Sequence, residues 1–415
     1  MLNRVVAGRG VLLGLLVLAT AGQADEAAGV DAVMSMGGEV TLDARQPGTP
    51  VVSVRFHFLN RSVITDAGLR ELKELKSLQS LEFIGTGITD SQLKELKAIN
   101  SLKSLRIQES RISDAGLKEL REFKSLETLR FSSNTAITDN GLKELKEIKS
   151  LRHLYLLDLL RVTEAGLKEI RELKELRTLG LDDIQVTDTV MKEIKELKNL
   201  QTLELNGTVV TDAGLKELKE LNTLQTLVLT GGRVTEVGLR ELKSLQTLRL
   251  YNIPLSDPGL KALKELKSLQ HLYLHDLRIT DAGLKDLKEL KELQTLGLDR
   301  IPVTDAGLKE LKELKSLQHL YLSDVRVTEA GLKDLKELKE LQTLGLERVP
   351  VTDTGLKELK ELKNLQSLNL TLTSVTDEGL KELKSLRTLY LSFTKVTDAG
   401  AAELKAARPD LQITR

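Results

Sequence analysis

The chain has 415 residues with 61 basic and 61 acidic side chains, so its formal net charge is zero and no net field draws it to nucleic acid or an anionic membrane. No basic stripe is visible along the sequence, and the absence of cysteine excludes disulfides and lipid attachment through a thiol. Aromatic residues make up 3% and tryptophan is absent, so the few aromatic positions carry unusual information about where a surface could bind.

The first residues read as an export signal. Arg4 and Arg9 form a basic start, Val11 to Ala19 an apolar run, and Ala21-Gly22-Gln23-Ala24 a small-residue cleavage site. This predicts a signal peptide over 1–24 and a mature chain from Asp25, secreted or placed in the periplasm or cell envelope, with no membrane insertion once the signal is gone. The run is shorter than the roughly 20 apolar residues a transmembrane helix needs. Residues 25–50 predict a helix, a turn at Gly37-Gly38 and a strand through Val40 and Leu42, together an N-terminal cap.

Residues 51–400 carry a periodic phrase. Thr or Ser followed by Asp or Glu recurs fifteen times from Thr65-Asp66 to Thr397-Asp398, mostly 24 residues apart, with intervals of 25 before Asp139 and Glu164 and 21 before Asp257 and Asp398. That period marks a solenoid, in which each repeat buries its apolar edge against its neighbours. Thr211 to Leu229 is representative. Leu215, Leu218, Leu221 and Leu224 predict the apolar stripe of one short helix, with Lys216, Glu217, Lys219 and Glu220 facing out and joined in i,i+4 pairs. Thr211 or Asp212 is predicted to cap that helix. Leu227 and Leu229 then mark the buried side of a strand whose Thr226 and Val228 point the other way. Stacking predicts an α/β arc with a parallel sheet inside and helices outside, about fifteen strands at ~4.8 Å giving an inner contour of roughly 65 to 70 Å. Residues 401–415, with Leu404, Pro409, Leu411 and Ile413, read as a C-terminal cap.

The phrase L-Q-T-L-x-L-x-x-T-x-V-T-D-A-G-L-K-E-L resembles leucine-rich repeats, in particular the T-D-x-G-L form common in exported proteins of planctomycete-like bacteria. It is also similar to the cysteine-containing repeats of eukaryotic F-box proteins, but no cysteine and no F-box helical module is present. The resemblance implies a horseshoe-shaped solenoid that recognises a protein partner on its concave sheet.

Projected onto the repeat, all five tyrosines fall on or beside the strands: Tyr155, Tyr251, Tyr273, Tyr321 and Tyr390. His153, His271 and His319 stand two residues before Tyr155, Tyr273 and Tyr321 in the phrase H-L-Y-L, so each pair shares one strand face. Intervening repeats read T-L-G-L, with Gly180, Gly297 and Gly345 at the tyrosine position. Arg249 beside Tyr251, and Arg106 with Arg130, extend the candidate binding surface. Two readings stand side by side. The rings are anchor points for a ligand, or each tyrosine lies across the glycine of the adjacent strand as structural cover. Residues 271–318 and 319–366 agree at 40 of 48 positions, so duplication also accounts for the second His-Tyr pair.

His271 and His319 are predicted to lie about 10 Å apart across the sheet, too far to share a zinc ion with ligand distances near 2 Å. No phosphate-binding loop, G-x-S-x-G turn or unique acid-base pair is present, so neither metal, cofactor nor enzymatic activity is expected. The sequence points to a non-catalytic protein-binding or scaffold module, with a structural or self-associating, homo-oligomeric envelope spacer and carbohydrate or glycopeptide binding as the other readings.

Overall fold

In the computed structural model the chain divides into two compact units, Met1–Thr208 and Val209–Arg415. The structure describes residues 2–5, 21–60, 62–134, 136–381 and 385–415.

The first unit opens with the strand Leu2–Val5, the helix Ala21–Ser35 and the strand Glu39–Asp43, which pairs antiparallel with both Leu2–Val5 and Val51–His57. The helix, turn and strand expected for the cap are present, and the helix begins ahead of the expected mature start at Asp25. The apolar run Val11 to Ala19 lies outside the described residues. The helix packs on the first repeat, with Val33 and Met36 0% and 2% exposed, and the Glu26 carboxylate accepts the Val51 N–H at 2.8 Å. Parallel strands then follow at Ser80–Ile84, Ser104–Gln108, Thr128–Ser132, His153–Leu157, Thr178–Asp182 and Thr202–Asn206, each paired with the next.

The second unit repeats the pattern in strands Thr226–Thr230, Thr247–Tyr251, His271–His275, Thr295–Asp299, His319–Ser323, Thr343–Gly345, Ser367–Asn369 and Thr388–Tyr390. All are parallel to their neighbours, and the last pairs with Gln412–Thr414. Register is strict. Leu227, Leu248, Leu272, Leu296, Leu320, Leu344, Leu368 and Leu389 form one column, each 0% exposed. A shift by one residue would turn this column to solvent, so burial fixes the pairing. At the end of the unit, the helix Asp398–Ala407 and the buried Leu411 cover the final repeat.

Within a repeat the leucines recur every three residues, and the backbone follows them. Asp212–Glu217 is α-helical and Leu218–Glu220 is a 3-10 turn, rather than the single helix the sequence suggests. A 3-10 turn has three residues per turn, so Leu215, Leu218 and Leu221 stay on one buried edge. Helices this short leave little room for i,i+4 ion pairs. Charges on this surface reach between repeats instead, as in Arg171–Glu193 at 3.3 Å and Lys315–Glu337 at 3.8 Å. Such exposed pairs contribute about 0 to 1 kcal/mol each.

The Thr-Asp mark divides its work between two helices. Thr211 caps its own helix, its hydroxyl accepting the Ala213 N–H at 3.2 Å. The acid does not cap the helix it opens, as the sequence reading allowed. Asp212 reaches forward instead: Oδ1 accepts the Thr235 N–H at 2.7 Å and Oδ2 accepts the Thr235 hydroxyl at 2.6 Å. The same bridge joins Asp281 to Thr304, Asp305 to Thr328 and Asp353 to Thr376 in the second unit. In the first unit it joins Asp90 to Ser113, Asp114 to Thr138 and Asp139 to Thr163.

This bridge explains the glycine of T-D-x-G. A Cβ added at Gly379 would lie 2.4 Å from Asp353 Oδ1, and one at Gly331 would lie 2.3 Å from Asp305 Oδ1. The two departures fit the same rule. After Glu164, whose longer side chain bridges only to the Thr187 hydroxyl among the bonds described, the glycine position holds the buried Val190. At Thr89 the position holds Gln92, whose Oε1 takes over the Thr89 N–H at 3.1 Å while its Nε2 donates to Ile64 O at 3.0 Å.

Gly379→Ala is therefore expected to destabilise the fold by about 1 to 3 kcal/mol by expelling a carboxylate from two charge-assisted hydrogen bonds. In an Asp353→Ala background the same change should be neutral or stabilising, because alanine favours a helix over glycine by up to about 1 kcal/mol. Denaturant unfolding of the four proteins in this cycle measures the coupling, and simple additivity would refute the steric account.

Candidate functional site

The leucine columns leave three rows of side chains on the opposite sheet face. In the second unit the first row runs Thr247, His271, Thr295, His319, Thr343, Ser367, Thr388. The second row runs Arg249, Tyr273, Gly297, Tyr321, Gly345, Asn369, Tyr390. Tyr251, His275, Asp299 and Ser323 form the third. The predicted residues thus share a face, but Tyr251 stands in a different row from the other tyrosines, tilted against His275 with ring centroids 5.6 Å apart.

The side chains lean in one direction along the sheet. Arg249 places its guanidinium over the Tyr273 ring, 4.7 Å from the centroid, and so joins Tyr273 rather than the Tyr251 beside it in sequence. Tyr273 in turn lies over Gly297, where a Cβ would meet the ring at 2.8 Å. His271 leans the same way, its Nδ1 2.9 Å from the Thr295 hydroxyl. The first unit repeats the arrangement: Arg130 stands 4.0 Å over Tyr155, Tyr155 covers Gly180, and His153 Nδ1 lies 2.9 Å from Thr178 Oγ1. Arg106, also expected in this patch, donates to Gln108 at 3.1 Å and lies 3.9 Å from Glu82. Two of the T-L-G-L strands are thereby sealed, with Thr178 and Thr295 only 8% and 3% exposed; in the third, Tyr321 lies against Gly345 in the same way, while Thr343 stays half-buried. Structural cover accounts for His153, Tyr155, His271 and Tyr273. Tyr321 and Tyr390 remain 38% and 39% exposed.

Family models describe the same periodicity. The model of a leucine-rich repeat region matches residues 139–281, and a single leucine-rich repeat model matches 124–146, 361–384 and 382–405. With the strict strand register, this decides the family. The chain is a leucine-rich repeat protein. Among solved structures, TLR13 in its complex with ssRNA13 shares the fold with a TM-score of 0.51 at 18% identity, over 86% of this chain and 60% of that one. An internalin from Listeria monocytogenes gives a TM-score of 0.47 at 22% identity, over 94% of each chain. A leucine-rich repeat protein of Leptospira interrogans gives 0.47 at 26%, over 85% of this chain and 81% of that one. No curated protein matches the sequence at a significant level.

In this leucine-rich repeat frame, several exposed apolar residues escape a reading based on strand positions, among them Phe58, Leu59, Leu160 and two in the turns of the second unit. Phe393 is 82% exposed and Leu372 39%, each in the turn just after a strand, where φ is 57° and 60°. The equivalent turns of the preceding repeats hold Asp324 and Arg348. The signal was present in the sequence as a large apolar residue at a place other repeats give to polar ones. Among the described residues no group of three or more histidine, aspartate or glutamate side chains could hold a metal ion, and no helix is long and apolar enough to cross a membrane.

Burial holds the imidazoles of His153 and His271 below their ordinary pKa of 6.5, aided by Arg177 at the first and by His319 and Arg249 at the second. The folded leucine-rich repeats thus favour the neutral rings. As pH falls below 6.5 the unfolded chain takes up protons that the fold resists, so this contribution to stability is present above 6.5 and is lost through the lower folded pKa values. Both rings should titrate below 6.5 by NMR. Threonine at both places, as in neighbouring repeats, should flatten part of the rise in unfolding stability between about pH 5 and 7.

Proposed function

We propose that the protein is an exported bacterial scaffold, without catalysis of its own, that holds a protein partner on the solvent-facing side of its sheet. The leucine-rich repeat fold suggests a protein-binding scaffold in general, and such proteins generally serve as interaction modules rather than enzymes. The observation that carries the finer reading is the exposure of Tyr321, Tyr390, Leu372 and Phe393 in a chain with 3% aromatic residues. Rigid rings with a polar tip contribute most of the binding energy at protein interfaces, and they do so at little entropic cost. Tyr273 and His271, which cover their neighbour strand, contribute rim contacts and positioning.

The test is affinity capture from the envelope fraction of the source organism with the native chain and with Tyr321→Ser/Tyr390→Ser/Phe393→Ser. A discrete protein should be retained by the former and bind the variant at least about 30-fold more weakly, the loss of one interface hot spot worth about 2 kcal/mol, with thermal unfolding unchanged. Equal retention by both would refute the surface. Concentration-dependent sedimentation of the chain alone, with nothing captured, would favour a self-associating spacer instead.

Export has its own check. Chain isolated from its source should begin at Asp25, a cleavage that removes the strand Leu2–Val5 and the first four residues of the helix Ala21–Ser35. An intact Met1 would exclude it.

A further inference from the structure

The first unit contains a cavity of about 440 Å³ lined by Lys103, Lys124, Arg152 and Arg177, with one carboxylate, Glu127, and the edge of His153. Four cations face one anion in a chain whose formal charge is zero. No two of these cations are neighbours in sequence. Lys103, Glu127, Arg152 and Arg177 hold the same place in four successive repeats, the residue just before each strand. Backbone bonds stack them, from Glu127 N to Lys103 O at 2.8 Å, Arg152 N to Glu127 O at 2.8 Å and Arg177 N to Arg152 O at 2.7 Å.

The repeats themselves supply the comparison. In the second unit the same place is glutamine seven times running, from Gln225 and Gln246 to Gln342 and Gln366. In the first unit Gln79 and Gln201 flank the cluster. A stacked position that is glutamine on both sides of this cluster, and basic elsewhere at Arg387 before the strand Thr388–Tyr390, has been made basic at three of four neighbouring repeats, without any packing demand for charge. The cations are also poorly neutralised. Among the described residues Lys103 and Arg177 form no ion pair, and the nearest acid to Arg152 is Glu175 at 3.9 Å. Arg152 is held in place by the carbonyls of Lys149 and Leu151, both at 3.1 Å, and Lys124 by that of Arg121 at 2.9 Å. The Ser150 hydroxyl lines the same cavity.

We propose that this cavity binds a ligand bearing two or more adjacent phosphate or sulfate groups. Guanidinium forks and ammonium points together suit tetrahedral oxyanions. The volume, about fifteen times the roughly 30 Å³ share of a water molecule, admits more than a single such group. The site belongs to the first unit, uses none of the exposed aromatic residues of the second, and does not depend on the partner proposed for them.

His153 reports on the cavity, and His271 is its internal control, since the places that are Arg152 and Arg177 beside His153 are Gln270 and Gln294 beside His271. Inorganic pyrophosphate and a disulfated disaccharide are titrated separately into the full chain while both rings are followed by NMR. Binding of either should raise the His153 midpoint by half a unit or more, leave His271 in place and weaken as salt is added. The ligand that acts at lower concentration identifies the source of the anion. Lys103→Gln/Arg152→Gln/Arg177→Gln introduces only residues the other repeats already carry, so it should fold and bind tenfold or more weakly. The proposal is overturned if neither ligand moves His153 at millimolar concentration in the native chain, or if the triple variant binds as tightly.

Discussion

An aspartate that reaches into the next repeat sets the geometry on the helical side of this molecule. The strand ladder alone would align one edge of each repeat, because its hydrogen bonds and leucine column fix register only along the sheet. The opposite edge is made of four- to seven-residue helices, too short to hold themselves together in water. Two short, charge-assisted bonds from Asp281 to the backbone and hydroxyl of Thr304 pin that edge to its neighbour. The same threonine hydroxyl then accepts from Ala306 N and caps the helix it opens. One residue pair thereby satisfies a helix terminus and spaces two repeats. The glycine that follows is the steric consequence of where the carboxylate sits.

This division of labour leaves the remaining sheet face free of structural duty along part of its length and occupied along the rest. Where a strand carries glycine, the tyrosine before it folds down over the gap, and at His153 and His271 the histidine bonds the adjacent threonine. Those rings are part of how the sheet is closed to water, and their removal would expose backbone as well as delete a contact. The face is most available for binding where rings keep the most exposure, at Tyr390 and at Tyr321, whose ring also lies against Gly345, and where Leu372 and Phe393 replace the polar residues of other turns. Both turn residues hold positive φ, a conformation that asparagine, aspartate and glycine adopt more readily than leucine or phenylalanine. Their side chains are therefore kept against backbone preference and against the tendency to bury apolar surface. That combination favours a role outside the fold.

Period, strand positions and the buried leucine columns were legible in the sequence, because each depends on spacing alone. The leucine interval of three already contained the 3-10 turn, since a continuous α-helix would carry its apolar stripe at three and four alternately. The acid's true partner was not legible. Asp212 and Thr235 are 23 residues apart, and a single repeat offers a nearer explanation in the helix cap. Nor could spacing show that Arg249 stacks on Tyr273 rather than siding with Tyr251, because the choice depends on which way side chains lean across strands. The cationic cavity was invisible for the same reason: residues one full repeat apart look scattered along a neutral chain and become adjacent only when the repeats stack.

In a chain this repetitive, shared residues report on the architecture and departures report on everything else. The bridge aspartates, the glycines beneath them and the glutamines before the strands recur because any repeat needs them or tolerates them. Val190 and Gln92 depart from the pattern and are explained within the fold, one by a longer acid upstream, the other by a glutamine that replaces the bridge. Lys103, Arg152, Arg177 and Phe393 depart from it with no such internal explanation. Each places charge or apolar surface in water where glutamine or another polar residue serves most of the other repeats. A departure that the fold does not require, and that solvent does not favour, is best accounted for by a molecule outside the chain.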